Sequence, residues 1–260
     1  MQSVCLITGA SAGIGAALAR VFAQNGHTLV LTARREAQLL ALADEIASRG
    51  YTRPHVIAAD LGQPDGPSRL AEALGAAGLE PSVLVNNAGF GMLGEAPDID
   101  RDAQLAIVNL NIRALTDLSL RWLEPIRRHR GGILNVASIA SFIPGPGMAV
   151  YHASKAFVLS FSEAMHEELK ADGVKVCALC PGPVDTEFND RAGVPHGYFP
   201  AFLNRSAERV ARDGYQGFMA GHRVVVPGKP NRIFTLLPRL LPRGLMLAMV
   251  DWRRKHLTAG

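Results

Sequence analysis

Residues 6–22 read LITGASAGIGAALARVF. An apolar run ends at Thr8, Gly9, Gly13 and Gly15 follow, and an amphipathic helical pattern opens without any spacer. Glycines allow a tight turn and close backbone approach. The helix that starts there offers free N–H groups and the positive end of its dipole, a fit for a pyrophosphate. The spacing is G-x-x-x-G-x-G, not the more familiar G-x-G-x-x-G, so a turn that only packs tightly is the competing reading. Its place at the head of a chain that alternates strand and helix favours the nucleotide site.

That alternation runs outward from the turn. Short apolar runs lie at 3–8, 28–32, 55–59, 82–86, 132–138, 174–179 and 223–227. Helical patterns lie near 13–25, 35–49, 64–77, 101–129, 151–172 and 206–220. Strands that are apolar almost throughout, separated by helices, predict a parallel sheet covered on both faces. Right-handed crossovers make it doubly wound. The expectation is an α/β Rossmann architecture with a mostly parallel seven-stranded sheet. A dinucleotide-binding catalytic domain then spans 1–228, with a substrate loop at about 187–205, and an apolar C-terminal helical extension occupies 229–260.

Composition narrows the class. The chain has 260 residues, 48% hydrophobic and 19% charged, with a formal net charge of +4. This is globular composition, and no dense Lys/Arg block with interleaved aromatics suggests nucleic acid as a partner. Cys5, Cys177 and Cys180 are too few for a disulfide framework and fit a reducing, cytoplasmic setting. Cys177 and Cys180 form a C-x-x-C without a second pair to complete a zinc site, and Cys177 lies in an apolar run, so packing is their expected role and no metal is expected. The start of the chain reads as a core strand and not a secretory leader.

The second strand bears on the dinucleotide. An acid at its end would hold a ribose 2′-hydroxyl. Here Ala33 takes that place and Arg34 and Arg35 follow. A guanidinium binds a 2′-phosphate through charge-assisted forked bonds, so the expected cofactor is NADP(H), with Arg34 as the nearer arginine and Ser11 adding a hydroxyl. Asp60 is placed to accept from the adenine amino group, with Leu61 beside the ring, though an Asp after a strand also serves in turns. In NNAG (86–89) the asparagines can tie strands together, while Ala88 and Gly89 leave room for a ribose.

Further on, Tyr151 and Lys155 stand at i and i+4 on one helix face. Ser138 ends the preceding strand, and in a parallel sheet strand C-termini line the ligand crevice. Carbonyl reduction needs a hydride on carbon and a proton on oxygen. A phenol, ordinarily near pKa 10, becomes a usable acid and base if a nearby ammonium, together with the cationic nicotinamide of the oxidised complex, favours its phenolate. Ser138 would hold the substrate oxygen.

With TGASAGIG, NNAG, Ser138, YHASK and PGPVDT in this order across residues 8–186, the chain resembles the short-chain dehydrogenase/reductase family. The resemblance implies catalysis by Tyr151 and Lys155, with Ser138 positioning substrate, and cofactor contacts from Gly9, Ser11, Gly13, Ile14, Gly15, Asn87, Ala88 and Gly89. It further implies an asparagine that holds a relay water in the helix after NNAG. Asn111 is the closer match and Asn109 its rival, and a helix with its backbone opened to water is what that role requires. Pro181 and Gly182 would turn beneath the nicotinamide, Val184 and Thr186 would approach its carboxamide, and Lys155 would also touch the ribose. Homo-oligomers, through the helices at 101–129 and 151–172, are a further implication.

Residues 187–205 carry Gly193, Pro195, Gly197 and Pro200 with Tyr198, Phe199 and Phe202, the makings of a mobile loop with apolar lining. The tail is apolar, interrupted by Pro238, Pro242 and Gly244, and carries Arg239, Arg243, Arg253, Arg254 and Lys255. It reads as a helix pair covering the core or joining copies, or as a peripheral membrane contact. A bulky lipophilic carbonyl or alcohol is therefore expected as substrate. Two other readings stand beside this one: a 3-oxoacyl-[acyl carrier protein] reductase, and a non-catalytic NADP(H)-binding regulator that has kept only the cofactor half.

Overall fold

The computed structural model describes residues 1–195 and 197–258. The side chains of Arg239 and Arg253, part of the basic set expected in the tail, lie outside the described residues. Seven strands form one sheet: β1 (Gln2–Thr8), β2 (Leu29–Ala33), β3 (His55–Ala58), β4 (Leu79–Asn86), β5 (Gly132–Val136), β6 (Lys175–Leu179) and β7 (Val224–Val225). Their order is β3-β2-β1-β4-β5-β6-β7, and every pairing is parallel. The order reverses between β1 and β4, where the C-terminal ends of the strands open a crevice.

The central strands are mostly apolar because both faces are covered, whereas the edge strand β3 is partly exposed. Cys5 and Ile7 face α1 (Gly13–Gln24), α2 (Glu36–Ser48) and α9 (Ala207–Met219) in one core. Val4 and Leu6 face the opposite core, with Leu74 of α3 (Gly66–Ala76), Leu118 of α5 (Leu115–Arg121) and Met165 of α7 (Ala149–Leu169). The three cysteines are buried and unbridged, as their apolar settings predict.

Several boundaries depart from expectation for local reasons. β4 starts at Leu79, before the predicted 82, although Pro81 interrupts it. Proline donates no ladder hydrogen bond, and the β1–β4 register shifts between Val4 and Cys5, opposite this point. The pattern at 101–129 is not one helix. It runs as α4 (Arg101–Val108), a π-helical turn (Asn109–Ala114), α5, and α6 (Leu123–Arg128), with the break at Trp122. Pro125 cannot donate to the carbonyl of Arg121, and its ring crowds that turn. α7 closes on a short 3₁₀ turn and Gly173, whose φ of 75° is the left-handed cap that glycine accepts.

The chain continues through α8 (Glu187–Ala192), α10 (Lys229–Leu240) and α11 (Arg243–Thr258). Pro238 lies inside α10 without breaking it, contrary to expectation. The stop comes at Leu241, held extended before Pro242. Gly244 lies in the first turn of α11. Among the described residues no helix is long and apolar enough to cross a membrane.

Candidate active site

The crevice at the β1/β4 switch opens into a cavity of about 890 Å³ that reaches from the glycine turn to α11. Its floor is stitched by Thr8, a residue that sequence reasoning passed over. The buried Thr8 hydroxyl accepts from the backbone N–H groups of Asn87 and Ala88, each at 3.0 Å. The Asn87 amide donates back to the carbonyls of Thr8 (2.9 Å) and Gly9 (3.1 Å). This packing explains two glycines. Gly9 holds φ +64°, and a Cβ on Gly15 would lie 2.3 Å from the Gly9 carbonyl oxygen.

The first turn of α1 faces this cavity through Gly13, Ile14 and Gly15. Its cap residue, Ala12, offers no side-chain hydrogen bond, and no acid sits in the turn. Those N–H groups and the helix dipole suit an anion. Beyond the turn lie Ser11, Arg34 and Arg35. Arg34 is exposed, whereas Arg35 is half-buried and its Nη2 donates to Ser11 Oγ at 3.1 Å. A dianionic 2′-phosphate therefore has a hydroxyl, two guanidinium groups and no carboxylate from β2. Asp60 and Leu61 line the same cavity. The Asp60 carboxylate already accepts from Gly62 N at 3.0 Å and from Gln63 Nε2 at 3.4 Å, so its turn role is present beside any adenine contact.

At the other end of the cavity, Ser138 leaves β5 in an extended conformation and caps a short 3₁₀ turn, its Oγ accepting from Ala140 N at 3.1 Å. The same hydroxyl bonds to Tyr151. The Tyr151 ring lies against Gly91, where a Cβ would come within 2.8 Å of it, and 5.4 Å from the Phe188 ring. Lys155 is 5% exposed, and its Nζ donates to Val136 O at 2.8 Å.

The electrostatics differ from the expected lowering of the phenol pKa. Burial pushes Tyr151 up to about 12, and the Ser138 bond offsets this only in part. Burial also draws Lys155 down to about 8. The ammonium is committed to a backbone carbonyl, 5.9 Å from the phenol ring centroid, so desolvation of the phenolate outweighs its attraction.

Asn111 lies one layer behind the cavity wall, in the π-helical turn, and is 1% exposed. Its amide bridges Phe90 N and O (3.1 and 3.0 Å) and donates to Ser154 Oγ at 3.0 Å. Ser154, also unforeseen, donates to the carbonyl of Tyr151 at 2.7 Å. The Asn111 side chain is thus engaged, which leaves its main-chain carbonyl, in a widened turn, as the group it can offer a water. A Cβ on Gly89 would lie 3.0 Å from Asn111 Oδ1 and 3.4 Å from Lys155 Nζ, so Asn111 is the asparagine beside the lysine.

Pro181, Gly182, Val184 and Thr186 also line the cavity. Gly182 packs on the buried Asn231, whose amide donates to Leu203 O (3.1 Å) and Pro227 O (2.9 Å) and holds these loops together. Val184 bridges to Arg205, and Thr186 Oγ1 caps α8 by accepting from Phe188 N at 3.4 Å. Of the residues expected at the site, Asn111 is the one that does not reach the cavity surface. Phe234, Met246 and Met249 of α10 and α11 do reach it. Sequence patterning supplied no signal for that, because which face of a terminal helix packs inward depends on the loops that aim it.

Comparison with known proteins agrees with this geometry. Residues 3–194 match the short chain dehydrogenase family. A sulfoacetaldehyde reductase of Chromohalobacter salexigens is 36% identical over 191 residues, 72% of this chain and 75% of that protein. A short-chain dehydrogenase from Sphingobium yanoikuyae, solved with NADPH, is 30% identical with a TM-score of 0.78, covering 100% of this chain and 96% of that one. The bulky-bulky ketone specific alcohol dehydrogenase of Comamonas testosteroni is 28% identical with a TM-score of 0.75, covering 100% of this chain and 94% of its own. With the ordered glycine turn, NNAG, Ser138, Tyr151 and Lys155 gathered on one crevice, the chain belongs to the short-chain dehydrogenase family of oxidoreductases.

Proposed function

We propose that this chain interconverts bulky lipophilic ketones and their secondary alcohols with NADP(H). The carrying observation is the cavity wall beyond Tyr151: Ile139, Ile143, Phe188, Phe199, Phe234 and Met249 surround the space next to the phenol. These six side chains offer a substrate apolar contact and no hydrogen-bond partners of their own. Support for the cofactor comes from the uncapped first turn of α1 and from Ser11, Arg34 and Arg35. The NADPH complex of the Sphingobium protein adds to it, and the Comamonas enzyme's ketone preference parallels the apolar wall.

The cofactor supplies the hydride. The chain's residues do the rest. The glycine turn and the α1 N-terminus hold the pyrophosphate, Arg34 and Arg35 the 2′-phosphate, and Lys155 the nicotinamide ribose. Ser138 holds the substrate oxygen. Tyr151 gives that oxygen its proton in reduction and takes it back in oxidation; the Lys155 ammonium resupplies the proton, and the Asn111 carbonyl, as acceptor, would hold the water of that relay. A high phenol pKa leaves Tyr151 protonated at neutrality, the form that reduction uses.

Two surfaces extend the reading. Leu105, Leu120 and Phe157 are exposed on α4, α5 and α7 and support pairing of copies there. Ile233, Leu236 and Trp252 are exposed on α10 and α11, near Arg243 and Lys255 in the chain, and support contact with a lipid surface. The function is tested by following NADPH absorbance over a ketone panel. We expect aryl and alicyclic ketones to exceed small hydroxylated ones in kcat/KM by at least about tenfold, the worth of one or two buried methylenes. The opposite ranking overturns the lipophilic assignment.

A further inference from the structure

The guanidinium of Arg35 has two partners, one in the glycine turn and one at the start of α8. Nη2 donates to Ser11 Oγ at 3.1 Å, and Nη1 pairs with Glu187 Oε2 at 2.9 Å. Glu187 is the first residue of α8, directly after Thr186, and the same carboxylate oxygen also meets Arg191 Nη2 at 2.6 Å. Ser11, Arg34, Arg35, Glu187 and Arg191 all line the one cavity. A carboxylate from the substrate loop therefore sits on the arginine that adjoins the cofactor's 2′-phosphate position. Carboxylate and phosphate bind guanidinium by the same forked, charge-assisted geometry. Two anions cannot share one half-exposed guanidinium without mutual repulsion.

We propose that Glu187 is an intramolecular competitor of the 2′-phosphate for Arg35, which makes the Arg35–Glu187 pair, and not Arg34 alone, the determinant of how strongly this protein prefers NADP(H) to NAD(H). The inference rests on the cofactor assignment above. Binding of the phosphorylated cofactor exchanges Glu187 for phosphate on Arg35 and leaves Glu187 with Arg191, within α8. The start of α8 is thereby released from Arg35. NAD(H), with a ribose hydroxyl at that place, leaves the pair standing. Glu187 thus lowers the affinity for NADP(H) while holding α8, and with it Phe188 beside Tyr151, against the cofactor crevice.

The test is a double-mutant cycle read by binding and not by turnover. NADPH and NADH are titrated by protein fluorescence quenching into wild type, Glu187→Gln, Arg35→Ala and the double variant, with thermal melting of each to confirm folding. Glu187→Gln is expected to tighten NADPH severalfold and leave NADH within twofold. Arg35→Ala is expected to weaken NADPH by at least tenfold. In the Arg35→Ala background, Glu187→Gln is expected to change nothing. The proposal is overturned if Glu187→Gln shifts both dinucleotides equally, or if its gain persists when Arg35 is absent. Failure of the cofactor assignment looks different: wild type then binds NADPH no more tightly than NADH. If Glu187→Gln were to melt at a much lower temperature, Glu187→Ser with 2′,5′-ADP and 5′-AMP as calorimetric probes gives the same comparison. Tightening confined to 2′,5′-ADP upholds the pair, and its absence removes it.

Discussion

Lys155 and Tyr151 lie one turn apart on α7, yet the lysine Nζ bonds to Val136 O at 2.8 Å and stands 5.9 Å from the tyrosine ring centroid. The ammonium is anchored to β5 and not to the phenol. With burial holding the phenol near 12 and the lysine near 8, the protein's own groups favour a protonated acid. Phenolate then depends on the positive ring of the oxidised cofactor.

This gives opposite pH profiles for the two directions. Ketone reduction uses the protonated phenol, which persists below its pKa, so kcat/KM for reduction should stay flat from pH 6 to 8. Alcohol oxidation uses the phenolate and should rise with pH until the phenol, lowered by the oxidised cofactor, has titrated, and then level. Initial rates in both directions across that range decide the matter. An oxidation rate that falls as pH rises would mean that Tyr151 is not the base.

Removing the phenol oxygen isolates its role. Tyr151→Phe keeps the ring that packs on Gly91 and Phe188 and deletes only the proton donor. Turnover should fall by about 10²–10⁴-fold, the usual worth of general acid–base catalysis. NADPH affinity should change by less than threefold. Near-normal turnover in this variant would remove the proton-transfer assignment.

The strands, the crossovers and the glycine turn were readable in the chain because they depend on local pattern: apolar runs, helical periodicity and glycines at fixed offsets. Tyr151, Lys155 and Ser138 were readable from order and spacing. Thr8, Ser154 and Asn231 were not, because each is an ordinary polar residue whose importance lies in a partner far along the sequence. The contacts of Arg35 were illegible for a similar reason. Distance from the strand end favours Arg34, which does line the cavity, while Ser11 and Glu187, brought in by the fold, hold Arg35 beside it. Spacing reveals a neighbouring charge and says nothing of desolvation, which raises the phenol pKa as far as the protein's own groups set it.

A buried amide chain should carry measurable stability. Asn86 Nδ2 donates to Asn135 Oδ1 at 2.9 Å and lies 3.0 Å from Ser119 Oγ, while Asn135 Nδ2 donates to Ser162 Oγ at 2.9 Å. The chain joins α5, β4, β5 and α7 through groups that are at most 3% exposed. Asn135→Ala removes one of the two acceptors of the buried Asn86 amide and the donor to Ser162, and should destabilise the fold by about 1–3 kcal/mol. Urea denaturation of the variant measures this, and an unchanged midpoint would show that the network is energetically idle.

Arg254 Nη1 pairs with Glu95 Oε1 at 2.6 Å and Nη2 with Asp251 Oδ1 at 2.7 Å, and the arginine is only 11% exposed. Its stem also presses on Gly147, where a Cβ would lie 2.5 Å from Arg254 Cδ. The side chain therefore fastens α11 both to the segment before α4 and to the loop that leads into α7. Met246, Met249 and Val250 of the same helix face the cavity, so loosening the clasp should widen the far wall while Ser138, Tyr151 and Lys155 keep their places. Arg254→Ala should raise KM for a bulky ketone about tenfold, in line with the loss of packing worth 1–3 kcal/mol in a hydrophobic pocket. A small ketone that stops short of α11 should keep its KM within about twofold. Glu95→Gln should show the same selectivity with a smaller change, because Glu95 is half exposed and water screens the pair. Equal losses for large and small ketones would place the effect at the catalytic groups, and α11 would then have no part in choosing the substrate.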